Sequence, residues 1–403
     1  MIVKYIYITE NAKELADKLC FEKIKDEKIS GETIQGEVLK YREFKEKKRE
    51  IFKKSDFLVF IMATGIVVRA IAELLESKFT DPGIVVMDEL GKNVISLLSG
   101  HVGGANEFTE RIADKIGANP VITTATDVNE KGAFDIILKK LNVEVQKFRN
   151  QCLDINSRLL KNEDLYLFIQ KEYKNLLEEN LSGFTVIDDF EEFKRKYLNS
   201  KLGNSKERFI TISDRIDYIN IMTDILKEKI QQGIVNDMKD EVMLRTQKAL
   251  ASDIKGLFMQ DDGDSGLMSR IKNKIIIVVP KMNVLGVGCR KNTESEEFEN
   301  AILNYLEKNN ISYGSISKIG SIALKKDEKC ILDFSYKYFI KTEFYSEEIL
   351  SKVDYLYEKS DFVKKTVGVY SVAEPSCHIM SGGNLIGEKY KSNGITISVG
   401  RKI

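Results

Sequence analysis

The sequence predicts an α/β chain of several domains, with mainly parallel sheets flanked by helices at both ends and a mixed α/β middle region. Two stretches, 1–140 and 276–403, alternate short β-branched runs with amphipathic helical patterns, which is how a mainly parallel sheet covered on both faces is written. Between them, 141–275 has short strand-like runs separated by Glu/Lys-rich helical ones. At 403 residues the chain is too long for one ordinary core, and these three stretches are the expected domains.

The elements follow in order. IVKYIYIT (2–9) reads as a strand and NAKELADKLC (11–20) as a helix. FLVFIMATG (57–65) is a buried strand entering a turn, with the helix IVVRAIAELLESK (66–78) behind it. GIVVMDE (83–89) and NVISLLSG (93–100) are strands one turn apart; ANEFTERIADKIG (105–117) is a helix closed by Gly, and NPVITTATD (119–127) is a strand. In the middle stretch LYLFIQK (165–171), FTVID (184–188) and RFITISD (208–214) read as short strands. Residues 215–272 are charged and largely helical, ending in the polar loop QDDGDSG (260–266). KIIIVVPKMNVLGVGCR (274–290) holds two strand segments around Pro280. Thr293 is the expected N-cap of the helix that follows, with Glu296 at the capping-box position. YFIKTEFYS (338–346) is a strand, SEEILSKVDYLYEKS (346–360) a helix and GITISVGRK (394–402) a closing strand. VGVYSVAEPSCHIMSGGNL (367–385) turns from strand to helix, with Pro375 in the first helical turn.

Composition excludes several function classes. Lys plus Arg and Asp plus Glu each number 62, so the chain lacks the basic excess of a nucleic-acid binder. The stretch KYREFKEKKREIFKK (40–54) is broken by acidic residues and reads as a solvated helix. No run approaches the ~20 apolar residues of a membrane span, and MIVKYIYITE reads as a first strand, not as a leader. Five scattered cysteines with no CxxC fit a reducing cytoplasm and neither a disulfide framework nor a zinc ribbon.

The densest chemical signal is Ser99-Gly100-His101-Val102-Gly103-Gly104-Ala105-Asn106, between a strand end and a helix start. Glycines there bring backbone N–H groups toward a ligand, and an imidazole beside them can take a proton from water. That pairing suits attack on an ester carbonyl; a Gly-rich connection carrying an incidental His is the equal alternative. Thr64 and Gly65 form a second strand-to-helix loop, with Arg69 one turn on, placed either to meet a carboxylate or to form a surface ion pair. Loops at strand ends gather along one edge of a parallel sheet, so Thr64 and His101 are expected to share a crevice, with hydroxyls of 123–127 beside them. Gly288, Cys289 and Arg290 repeat the design near the C-terminus; Cys289 reads as an apolar filler sooner than as a nucleophile. Ser371 and Glu374 stand where a helix begins, Glu374 as helix cap, ligand contact or proton donor. His378, one turn on, reads as packed or exposed.

Together the segments 62–127, 283–293 (NVLGVGCRKNT) and 367–376 (VGVYSVAEPS), with 131–145 between them, resemble the cobalt-precorrin-5A hydrolases, the CbiG-type proteins of the anaerobic vitamin B12 pathway. The span 215–272 has no place in that pattern. The resemblance implies a cytoplasmic hydrolase whose substrate is a cobalt-bearing tetrapyrrole with a δ-lactone, opened with loss of acetaldehyde. Cobalt arrives with the substrate, so neither cofactor nor protein metal site is expected. On this reading His101 is the base, Gly103 and Gly104 hold the oxyanion, and Arg69 and Arg290 bind the macrocycle's carboxylates. Glu374 assists proton transfer if the end domains face one another. Thr64, Gly65, Ser99, Gly100, Asn106, Gly288, Cys289 and Ser371 complete the expected binding surface. A homodimer and transient contacts with neighbouring pathway enzymes are further expectations, with nucleic acid and membrane excluded. The rival is a non-catalytic tetrapyrrole carrier, and a nucleotide-binding regulator is disfavoured because no Walker or Rossmann motif is complete.

Overall fold

The computed structural model describes residues 1–21, 35–78, 80–129, 131–200, 206–237 and 274–403. The loop 260–266 and most of the charged span 215–272 lie outside them. The chain forms two compact units, one of residues 1–139, 145–162 and 180–183, the other of 140–144, 163–179 and 184–403. No described helix is long and apolar enough to cross a membrane.

The first unit is built on six strands: β1 (Ile2–Tyr7), β2 (Gln35–Lys40), β3 (Phe57–Ile61), β4 (Gly83–Met87), β5 (Asn93–Leu98) and β6 (Asn119–Val121), in the order β2-β1-β3-β4-β5-β6. The centre of the sheet reads FLVFI and GIVVM and is almost wholly buried, because helices cover both faces. Val3, Tyr5, Val59 and Val85 pack on one face beneath α1 (Glu10–Phe21) and α4 (Ala105–Ile116). Ile6, Leu58, Phe60 and Ile84 alternate to the other face, beneath α2 (Tyr41–Lys54) and α3 (Thr64–Ile71). The Lys-rich stretch is thus a helix, buried only through Phe44 and Phe52.

One pairing decides where the sites fall. All neighbours run parallel except β4 and β5, which are antiparallel, Met87 opposite Val94 and Ile84 opposite Leu98. The connection between them is the short turn 88–92, in which the Asp88 carboxylate accepts backbone N–H groups of Leu90, Lys92 and Asn93. Five residues cannot carry a parallel crossover, which needs about a dozen.

The second unit holds two sheets. β7 (Leu165–Ile169), β8 (Thr185–Val186), β9 (Arg208–Ile212) and β10 (Ile275–Val278) form an all-parallel sheet ordered β10-β9-β7-β8. β10 therefore belongs to the middle sheet, and not with the C-terminal strands beside which it stands in the sequence. β11 (Asn283–Gly288), β12 (Ile316–Ile322), β13 (Lys341–Tyr345), β14 (Leu385–Ser392) and β15 (Ile395–Arg401) form the order β13-β12-β11-β15-β14, with β15 antiparallel to both neighbours. The helices Ser295–Lys308 and Lys329–Tyr338 cover one face. The helix Ala373–Ser381 lies very close against the other: a Cβ on Gly286 would sit 1.9 Å from the Ala373 carbonyl oxygen.

Three local expectations are corrected. The helix after Thr293 begins at Ser295 with Glu294 as N-cap, and the Thr293 hydroxyl donates back to the Arg290 carbonyl. The stretch 346–360 yields only the short helix Glu347–Leu350 and one 3-10 turn. No strand precedes the helix at Ala373.

Candidate functional site

The Gly-rich loop leaves β5 at the edge of the sheet where β3 and β4 begin. A Cβ on Gly104 would touch the Phe57 ring, and one on Gly83 would lie 3.1 Å from the Gly103 carbonyl. Thr64 leaves β3 at the opposite end, about 15 Å away along a five-residue strand. The shared crevice of Thr64 and His101 is therefore wrong. The rule that strand ends gather on one edge holds for parallel neighbours, and the β4–β5 turn reverses the direction.

Within the loop the chain folds back on itself. Gly104, at φ 77°, is the N-cap of α4, and its N–H donates to the His101 carbonyl. The N–H groups of Ala105 and Asn106 donate to the carbonyls of Ser99 and Gly100. Ser99 adopts a left-handed φ of 57°, a conformation that side chains other than Gly, Asn and Asp rarely take. A side chain on Gly103 would meet Ser99 at 2.4 Å, and one on Gly100 would meet the Asn106 amide at 2.5 Å. These glycines thus make room inside the loop, and the Gly104 amide expected to hold an oxyanion is already committed. Asn106 is buried; its Oδ1 accepts from the Ser96 hydroxyl at 2.6 Å, and its Nδ2 donates to the Thr124 hydroxyl at 3.1 Å. It staples β5, the loop and the chain after β6 together.

His101 is held from a segment in which the sequence marks no site. Its Nδ1 lies 3.5 Å from Oδ1 of Asp135, a residue buried to 1% exposure in the helix Phe134–Lys140. Asn156 locks that helix start, its Oδ1 accepting the Phe134 N–H and its Nδ2 donating to Asp135. Burial pushes the Asp135 carboxyl upward, yet the hydrogen bond and charge of His101, with Asn156 and Lys78, bring it below the usual aspartate value. The only sequence signal is an acidic residue between Phe134 and Ile136, in an otherwise apolar helical face. Lys139, on the same helix, brings its ammonium beside Gly104.

At the opposite edge a cavity of about 540 Å³ opens between the ends of β1 and β3, lined by Ile8, Thr9, Met62, Thr64, Asp88 and other residues. The chain turns to opposite sides of the sheet after these two strands, the place where open α/β sheets bind ligands. Thr64 lines it; Gly65 and Arg69 stand beside it, exposed.

In the second unit Gly288, Ser371 and Glu374 come together, while Cys289 and Arg290 stand apart from them. Gly288, at the end of β11, faces Val372, next to Ser371 and Glu374. Glu374 is buried, its Oε2 accepting from the Ser371 hydroxyl at 2.9 Å and the Lys389 ammonium at 2.6 Å. It caps no helix terminus: Val372 is the N-cap, without a side-chain bond. Arg290 is exposed, laid across the turn at Gly394. Cys289 packs on the core, but a hydrogen bond from Cys330, aided by Lys325 and Thr293, draws its thiol below the ordinary value against burial. His378 is hydrogen-bonded through Nδ1 to the Tyr357 hydroxyl at 2.7 Å.

Two family models cover the segments that carry these features: cobalamin synthesis G N-terminal at 46–127, and cobalamin synthesis G C-terminus at 283–400. Across nearly the whole chain the similarity extends to the cobalt-precorrin-5A hydrolase of Salmonella typhimurium, 30% identical over 89% of this chain and 85% of that protein. The chain belongs to the cobalt-precorrin-5A hydrolase family. A cobalt-precorrin-5A hydrolase of Priestia megaterium is 28% identical over 87% of this chain and 79% of its own length. A solved structure of a cobalamin biosynthesis protein G homolog from Sulfolobus solfataricus aligns over 100% of this chain and 97% of that one, at 20% identity and a TM-score of 0.33. Within this family the chain has its His–Asp pair inside one segment match and beside it, since His101 falls within 46–127 and Asp135 just after.

Proposed function

We propose that the chain hydrolyses the ring-A δ-lactone of cobalt-precorrin-5A and releases acetaldehyde, as a cytoplasmic step of anaerobic cobalamin biosynthesis. The observation that carries this reading is the Asp135–His101 pair at the mouth of the Gly-rich loop. With Nδ1 turned to Asp135, we place the proton on that nitrogen and assign to Nε2 the role of taking one from water. Water adds to the lactone carbonyl, the ring C–O bond breaks, and the products are a carboxylate and a secondary alcohol. When the alcohol proton is removed, its oxygen closes to a carbonyl and the bond to the macrocycle breaks. Acetaldehyde leaves, and the electron pair stays on the macrocycle carbon until it is protonated.

The remaining roles follow from placement. Gly103 stays our candidate oxyanion donor, and Lys139 is added as a cation at the same loop. Asn106, Ser99 and Gly100 shape the loop without touching substrate. Thr64, Gly65 and Arg69 stand on the far edge and are assigned no contact with the scissile lactone. Arg290 is our candidate for a peripheral carboxylate, and Glu374, engaged by Lys389, for a binding or proton-transfer group. Cobalt belongs to the substrate in this reading.

The test is anaerobic incubation of the pure protein with cobalt-precorrin-5A, measuring acetaldehyde and macrocycle binding. Enzyme-dependent release that is lost in His101→Ala, with binding retained, supports the reading. Tight binding with no release by the intact chain would make the protein a carrier.

A further inference from the structure

The C-terminal sheet brings together three donors that the lactone chemistry does not use. Cys289 follows the last residue of β11; Glu328 and Cys330 flank the first residue of the helix Lys329–Tyr338. The two sulfurs are 3.7 Å apart, and the Glu328 carboxylate lies within 4.8 Å of both. Zinc–thiolate bonds of about 2.3 Å in a tetrahedron set the two sulfurs about 3.8 Å apart, so the pair already has the required spacing. Cys330 is buried, while Cys289 and Glu328 are half-buried, leaving a path for an ion.

We infer that Cys289, Cys330 and Glu328 form a binding site for one thiophilic divalent cation of the zinc class. The surroundings are those of a prepared ligand set. The Glu328 Oε1 accepts the Asn292 N–H at 2.6 Å, and its Oε2 accepts the Lys325 ammonium at 2.8 Å. With the Thr293 N–H as a third donor, three of the carboxylate's four lone-pair sites are engaged and one remains, so these partners orient it as outer-shell groups orient metal ligands. A divalent cation with two thiolates and one carboxylate carries one excess negative charge, which Lys325 matches. Both thiol protons pass to solvent on binding. Three protein donors leave one tetrahedral position for water or an anionic group. This site departs from the expectation of no protein metal, and it is independent of the proposed reaction.

The test needs no substrate. The full chain, reduced with a phosphine and freed of metal, is titrated anaerobically with Co²⁺ alone. The expected result is a thiolate-to-cobalt charge-transfer band with tetrahedral ligand-field bands, saturating at one ion per chain and displaced by Zn²⁺. Cys330→Ser and Glu328→Gln should each weaken binding at least about tenfold, and Lys325→Met by about 10–100-fold. Cys152→Ser, at a buried thiol remote in sequence from the cluster, should change nothing. If Cys330→Ser does not fold, Glu328→Gln decides the question. The inference is overturned by fully reduced protein that shows no charge-transfer band, by a Co²⁺ affinity unchanged in Glu328→Gln, or by a Cys289–Cys330 disulfide forming in protein that binds no metal when reduced.

Discussion

His101 Nδ1 and Asp135 Oδ1 lie 3.5 Å apart, joined across 34 residues of sequence by the packing of one short helix beneath the Gly-rich loop. The pairing commits Nδ1 to Asp135. Loss of a general base slows a reaction by about 10²–10⁴-fold, so His101→Ala should lose most turnover and keep macrocycle binding. Asp135→Asn should lower turnover by about 10²-fold or more with an unchanged Michaelis constant, because the amide favours the wrong tautomer. Near-normal acetaldehyde release by His101→Gln would reduce the imidazole to a loop contact.

The same pair predicts acid sensitivity. The folded Asp135 carboxyl titrates below its usual value, so its contribution to stability is complete above the unfolded aspartate value of about 3.9 and disappears as pH falls through the folded value. The difference in urea midpoint between the wild type and Asp135→Asn should be present just above about pH 4 and shrink as pH falls below it. A gap that persists in acid would show that the variant disturbs packing and not charge.

The two edges of the first sheet should separate in kinetics. Arg69→Ala and Thr64→Val act on the cavity edge, and saturated turnover in both should stay within about twofold of wild type, unlike His101→Ala. Collapse of turnover in Thr64→Val would move the chemistry to the cavity and sink the His101 assignment.

Asp214 and Arg401 form a buried ion pair between the two sheets of the second unit. The Asp214 Oδ2 accepts from Arg401 at 2.8 Å, the Tyr173 hydroxyl at 2.7 Å and Asn283 at 2.6 Å. Removing one partner strands the other without water, which costs about 3–5 kcal/mol. Arg401→Met should therefore be strongly destabilised in denaturant unfolding, and adding Asp214→Asn should restore part of the loss. A single variant as stable as wild type would contradict this picture.

Gly286 should tolerate no side chain. The Ala373 carbonyl would sit 1.9 Å from an added Cβ, and a backbone atom cannot swing aside. Gly286→Ala should lose about 1–3 kcal/mol or more, whereas Gly314→Ala, with its nearest neighbour at 3.4 Å, should fall within about 0.5 kcal/mol of wild type.

Much of the fold is legible in the amino-acid order alone. The α/β alternation, the buried strands at 57–61 and 83–87 and the helix after Gly104 follow from local periodicity, since a strand buried on both faces must be apolar throughout. The Gly-rich loop with its histidine is legible for the same reason, being a run of adjacent residues. Asp135 is not, because nothing in KGAFDIILKK distinguishes an aspartate aimed at an imidazole from one at a helix start. The separation of Thr64 from His101 is marked by no motif and follows from β5 running against β4, which the short connection 88–92 requires. Period thus determined the elements, and the runs at 62–127, 283–293 and 367–376 carried the family likeness. Which side chains meet came only from tertiary packing, because contacts between distant residues leave no periodic trace in the chain.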